Sequence, residues 1–199
     1  MDITIRELIP ELANDYVRFF DMTPHDQHSD NENVGEYSCY CVCWCSDDYE
    51  GKDFSTPEKR RQAAFKYVKD NNIQGYLAYS GDAVVGWCNA NTKSDCLNCA
   101  SWRRFMGYVP LDEPGIRVKS IFCFVISPEM KRKGVATRLM ERVCKDATQE
   151  GFDFVEAYPR KDSSYQSSNF GGYSEMYKKN GFYVSAEANQ SLIMRKKLK

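Results

Sequence analysis

The chain has 199 residues, 42% apolar and 28% charged, enough to bury one sizeable core, so a single domain over 1–199 is the simplest reading. Its start, MDITIRELIPEL, lacks the basic-then-apolar run of a secretory signal, and no stretch approaches the ~18 unbroken apolar residues of a membrane span. No nucleic-acid partner is expected, and nine cysteines, an odd number, argue for cytosolic thiols rather than a paired disulfide framework.

In chain order, ITIREL (3–8) alternates as a strand, and ELANDYVRFF (11–20) places Leu12, Tyr16 and Phe19 or Phe20 at helical spacing behind Pro10. An acidic, turn-rich stretch follows. Residues 21–58 hold ten acids and one base, a charge of −9, which leaves +8 on the rest of the chain, so two surfaces of opposite sign could face two ligands.

Within that stretch lies CYCVCWC, with Cys39, Cys41, Cys43 and Cys45 at every second position. The period predicts a strand with one thiol face. Neighbours at i and i+2 on a strand are roughly 7 Å apart, so four in a row cannot converge on one zinc. Two of them could still join Cys96 and Cys99, or His25 and His28.

A second helix is predicted from Thr56 and Pro57 to Asn71-Asn72. YLAYS and AVVGWCNA flank Gly81-Asp82, a two-residue hairpin turn, and after some 25 residues of loop VKSIFCFVI (118–126) reads as a buried central strand. Val135, Leu139, Val143 and Ala147 then recur every four residues on one helical stripe that ends at Gly151. FDFVEAY (152–158) is the next strand, YSEMYKKN a short helix stopped by Gly181, and FYVSAEA with SLIMRKKL a terminal hairpin. The expected class is α/β, a mixed sheet with helices on its faces.

Between the buried strand and its helix stands KRKGVAT, Lys131 to Thr137. Unpaired amides at a helix start, the helix dipole and the charges of Lys131, Arg132 and Lys133 favour an anion such as phosphate, and Gly134 lets it come close. The patterns G-x-x-x-x-G-K-[ST] and G-x-G-x-x-G are absent, which removes the usual supports for nucleotide hydrolysis and dinucleotide binding.

FCFVISPEMKRKGVATRLM, VEAYP and YSEMYKKNGF together resemble the GNAT superfamily of acetyl-coenzyme A dependent N-acetyltransferases. The resemblance covers residues 75–199 and is strongest to a subgroup sharing GWC (86–88) and a terminal IMR, which names no acceptor. It implies a mostly antiparallel GNAT sheet in which 75–199 form the acetyl-coenzyme A core. Residues 1–74 then supply acceptor-side helices with the extra Cys-rich strand between them. The same resemblance implies that Phe124, Val125 and Ile126 hold the thioester and pantetheine arm, and that Lys131, Arg132, Lys133, Gly134, Val135, Ala136 and Thr137 hold the pyrophosphate. Asn169 is a further coenzyme contact, or a loop cap.

For catalysis, the resemblance makes the Phe124 amide the donor to the thioester oxygen and Tyr177 the acid for the departing thiolate. A packed aromatic is the other reading of Tyr177. Ser120 stands where histone-acetylating members place a glutamate base, so Glu156, or an acid of residues 21–58 acting through water, is the candidate base, with a structural carboxylate as the alternative for Glu156. The expected function is direct transfer of acetyl to a primary amine, a cationic small molecule or lysine side chain, in the cytoplasm, without metal and with a homodimer allowed. A non-catalytic acyl-coenzyme A sensor or Cys/His metal-binding module is the alternative.

Overall fold

The computed structural model describes residues 2–23, 39–44, 53–161, 170–188 and 190–199. Among them, seven strands join in one sheet: β1 (Thr4–Glu7), β2 (Gly75–Ser80), β3 (Ala83–Thr92), β4 (Val118–Ile126), β5 (Phe154–Ala157), β6 (Tyr183–Ala188) and β7 (Ser191–Lys197). Their order is β1-β2-β3-β4-β5-β7-β6, and every neighbouring pair is antiparallel except β4 with β5. The helices are α1 (Ala13–Met22), α2 (Pro57–Lys69), α3 (Lys93–Cys96), α4 (Ala100–Phe105), α5 (Val135–Gln149) and α6 (Ser174–Lys179).

Local chemistry explains most boundaries. Thr56 caps α2 by accepting from the Lys59 amide at 3.3 Å, with Pro57 at the first helical position. Gly81 takes φ 59° in the two-residue turn that returns β2 into β3. The stripe Val135, Leu139, Val143 and Ala147 is fully buried and seats α5 against Ala78, Ala90, Ile121, Phe124 and Val155 of the sheet. A Leu139→Ala cavity there costs about 2–5 kcal/mol. On the opposite face, α1, α2 and the Cys39–Trp44 segment cover Leu77, Trp87, Cys123 and Val125. A third apolar cluster, around Trp102, Phe122, Tyr158 and Ile193, holds α3 and α4 on that same side.

Two expectations are corrected here. The described part of CYCVCWC is no strand: Tyr40 and Cys41 form a turn at φ 47° and 51°, and Val42–Trp44 is a 3-10 helix. The reason is tertiary. Tyr16 donates to the Tyr40 carbonyl at 2.8 Å, the Tyr40 hydroxyl donates to Asp21 at 2.8 Å, and Trp44 stacks on Phe122, so the segment folds as a plug on three separate supports. Second, the stretch read as a loop of some 25 residues contains α3 and α4, each too short to display a period in sequence.

A bulge in β4 governs the centre. Asn89 pairs with Cys123 and Ala90 with Ile121, so Phe122 is extra. Alternation therefore shifts by one residue: Ile121 and Phe124 face α5, whereas Phe122, Cys123 and Val125 face the other side. β5 pairs only with Val118 to Ile121, and beyond that point the two parallel strands part.

Candidate active site

Where β4 leaves β5, the chain passes through Pro128–Met130, a 3-10 turn, to exposed Lys131, Arg132, Lys133 and Gly134. Arg132 at φ 62° and Gly134 at φ 81° bend it sharply into α5. Arg138 donates to the Gly134 carbonyl at 3.1 Å as the first helical bond, so the amides before it have no intrahelical acceptor. No side chain caps this end and its first turn holds no acid. A Cβ on Gly134 would meet nothing within 4 Å, so the glycine serves the left-handed backbone and an open approach rather than protein packing. The arrangement is a cationic anion site. Lys131 to Gly134 are exposed, Ala136 and Thr137 are half-buried, and the Val135 side chain belongs to the core.

Gly86 joins this turn to the parting of the strands. A Cβ at Gly86 would lie 3.0 Å from both Ile126 Cδ1 and Val135 Cγ1, so the glycine lets the end of β4 and the start of α5 close over β3. Phe124 and Val125 are buried on opposite faces and Ile126 is half-buried.

Inside the parting, the Phe124 amide donates to the Phe170 carbonyl at 2.6 Å. Tyr177 is fully buried and its hydroxyl donates to the next carbonyl, that of Gly171, at 2.8 Å. Burial first, then the thiols of Cys88, Cys144 and Cys123, lift the Tyr177 pKa well above the usual phenol range, so it stays protonated and donates. Its ring also packs edge-on to Phe182. The structure thus brings Phe124 and Tyr177 onto one short segment, while Asn169 lies outside the described residues.

Glu156 is elsewhere in character. It is fully buried on β5, beside Ser120 of β4, and receives the Tyr158 hydroxyl at 2.6 Å, Lys93 Nζ at 2.9 Å and Arg195 Nε. Asp112 completes a quartet by pairing with Lys93 at 2.8 Å and with Arg195. Ser120 and Tyr158 share a hydrogen bond at 2.8 Å. Burial and then the Glu156 charge push the Tyr158 phenol well above its ordinary pKa. Three donors on one carboxylate make Glu156 the centre of a closed ion network. Lys93, Asp112, Tyr158 and Arg195 were missed by sequence reasoning. The available signal was charge within buried strands, Glu156 in FVEA and Arg195 in SLIMRKK.

The described thiols pack against their neighbours. Cys41 Sγ lies 3.5 Å from Cys123 Sγ and accepts from Trp87 Nε1 at 3.3 Å, while Cys99 Sγ caps α4 by accepting from the Trp102 amide. Among the described residues, no group of three or more His, Cys, Asp or Glu side chains could hold a metal. His25, His28 and Cys45 fall outside them, as do Asp26, Asp30, Asp47 and Asp48 of the acidic stretch.

Residues 39–182 match the Acetyltransferase (GNAT) family. No curated protein matches the chain. Similar solved structures include the PaiA N-acetyltransferase of Thermoplasma acidophilum in complex with coenzyme A, at 16% identity, TM-score 0.56 and 99% coverage of each chain. YncA of Salmonella typhimurium with acetyl-CoA matches at 13% identity and TM-score 0.54, covering 99% of this chain and 94% of that one. An N-acetyltransferase of Staphylococcus aureus matches at 14% and 0.53, with 100% coverage of both. At these identities the neighbours establish the fold, a mixed sheet of seven strands flanked by helices. With the family matched over most of its length, the chain belongs to the GNAT family of acetyltransferases.

Proposed function

We propose that the chain transfers an acetyl group from acetyl-coenzyme A to a primary amine, a cationic small molecule or a lysine side chain. The observation that carries this is the seating of an uncapped, cationic helix start directly beyond the point where β4 and β5 part, with the Phe124 amide and Tyr177 hydroxyl converging inside that parting. Coenzyme-bound PaiA and YncA share the fold. The pyrophosphate would lie on the amides of Gly134 to Thr137, with Lys131, Arg132 and Lys133 supplying charge.

In the transfer step the amine nitrogen, having lost its proton, attacks the thioester carbon. Negative charge grows on the carbonyl oxygen, toward which the Phe124 N–H points its dipole, and the C–S bond breaks. Tyr177 donates to the departing sulfur. Its raised pKa makes it a strong keeper of that proton, so it stabilises the thiolate by hydrogen bonding, and the proton that completes the thiol is the one the nitrogen loses as the amide forms. Glu156 acts as a positioning residue through Tyr158 and Ser120 rather than as a base, because its oxygens are already taken by three donors. A single domain over 1–199 is supported by β1 and β2–β7 sharing one sheet. The odd count of nine cysteines favours a cytosolic setting.

The test is thiol release from acetyl-coenzyme A across a panel of amines, at low and high salt. Acceptor-dependent release, greatest for polycationic amines at low salt, is expected from the acidic stretch of residues 21–58. Tight coenzyme binding with no release for any amine would favour the sensing reading instead.

A further inference from the structure

The transfer site is filled by the chain itself. Phe170, Gly171 and Gly172 run through the gap between β4 and the end of β5. On one side the Phe170 carbonyl takes the Phe124 amide at 2.6 Å, and on the other the Gly171 carbonyl takes the Tyr177 hydroxyl at 2.8 Å. The two groups that acetyl transfer needs are thereby held by two consecutive carbonyls of one segment. The Phe170 ring packs into the cluster on the acceptor side, with Cys123, Val125 and Trp87, while Gly172 lies against Met176 and Tyr177 on the α5 side. The segment therefore crosses from one face of the sheet to the other through the opening where coenzyme and amine must meet.

Its residue types fit a close passage. A Cβ on Gly171 would stand 2.7 Å from the Tyr158 carbonyl oxygen and 3.3 Å from Pro159 Cα, both backbone atoms that cannot swing away. Gly172 takes φ 79°, a conformation that favours glycine. Only a segment without side chains at these two positions lies this deep between β4 and β5.

We infer that Phe170–Gly172 is an autoinhibitory strap: it occupies the acetyl site in the free protein, and acetyl-coenzyme A binds only when the strap leaves. The inference rests on the acetyl-transfer reading for the identity of the displacing ligand. Each strap contact has its replacement on the incoming group. The thioester oxygen takes over from the Phe170 carbonyl at the Phe124 amide, and the sulfur takes over from the Gly171 carbonyl at the Tyr177 hydroxyl. The Phe170 ring vacates the acceptor side at the same moment, so coenzyme entry opens the place for the amine, and binding is ordered with the coenzyme first.

Stopped-flow mixing of the full chain with acetyl-coenzyme A, read by tryptophan fluorescence, tests this, with Phe170→Ala and Gly171→Ala as variants. In the wild type the observed rate should level off at high acetyl-coenzyme A, at the rate of strap opening. Both variants weaken the strap, one by removing its plug and the other by the clash with Tyr158, so the limiting rate should rise. If the strap is closed about nine-tenths of the time, the apparent Kd should fall about tenfold in the variants. A wild-type rate that climbs linearly, together with unchanged affinity in a folded variant, overturns the strap. The plateau belongs to the unaltered chain, so the decision stands even where a variant fails to fold. If the plateau and the variant effects appear but no amine releases thiol, the strap holds and the transfer reading falls. If neither wild type nor variants bind acetyl-coenzyme A, both are overturned.

Discussion

Glu156→Gln is the sharpest probe of the buried network. The side chain keeps its shape but exchanges a carboxylate for an amide against Lys93 Nζ at 2.9 Å and Arg195 Nε, both pressed on a residue with no exposed surface. Asp112 is left to balance two cations alone. Removing one partner of a buried ion pair costs about 3–5 kcal/mol, because the other charge stays desolvated. For a chain of this length each kcal/mol moves Tm by about 2–4 °C, so the expected fall is roughly 6–20 °C. Differential scanning calorimetry reads it directly. Adding Lys93→Met restores the count to Asp112 with Arg195, so the double variant should melt above the sum of the two single losses. The pH profile of kcat/KM, taken well below the melting temperature, should keep its shape, since the carboxylate positions Tyr158 and takes no proton from substrate. A variant that melts within about 2 °C of wild type would refute the ion-pair energetics. A folded variant with an altered pH profile would show Glu156 to be the base.

Gly134→Ala should fold, since its Cβ meets nothing within 4 Å, but it pays a left-handed φ penalty of roughly 1–2 kcal/mol, and Gly134→Trp should in addition abolish acetyl-coenzyme A binding by calorimetry. Tyr177→Phe should retain coenzyme binding and lower turnover about 10²-fold, with full activity marking the tyrosine as packing alone. The third concerns alkaline stability: burial lifts the Cys144 thiol to about 11 from its ordinary value near 9. Below pH 9 both states keep the proton and stability is whole; from pH 9 to 11 the unfolded chain ionises first and roughly 3 kcal/mol is lost. Denaturant midpoints across that range should therefore fall with pH, and Cys144→Ala should flatten part of the slope.

What the sequence disclosed follows from range. The α5 stripe, the Thr56-Pro57 start and the Gly81-Asp82 turn depend on residues within a few positions of one another, and all three stand in the structure as read. The start of α5 just after Gly134 was legible for the same reason. The cysteine stretch was misread because its period of two is that of a strand, yet Tyr16, Asp21 and Phe122 decide its shape from outside. Lys93, Asp112, Glu156 and Arg195 come from four separate stretches and meet only once β5 lies between β4 and β7. In sequence, each is an ordinary charge.

The bulge at Phe122 ties these long-range features to function. Were β4 regular through Phe122, strict alternation from Ile121 would turn Phe124 to the side that Phe122 and Val125 now share, away from α5. The bulge instead sets Phe124 on the face of Val135 and Tyr177, and Cys123 on the face of Cys41 and Trp87. It also ends the run that β5 can follow, since pairing stops at Ile121. One inserted residue thus opens the sheet, aims an amide into the opening, and gives the opening two differently lined sides. The α5 face of the sheet is built by local sequence around that helix. The opposite face is built by distant segments, Cys39–Trp44, α3 and α4, which is why the helix start was readable in the sequence and the opposite face was not.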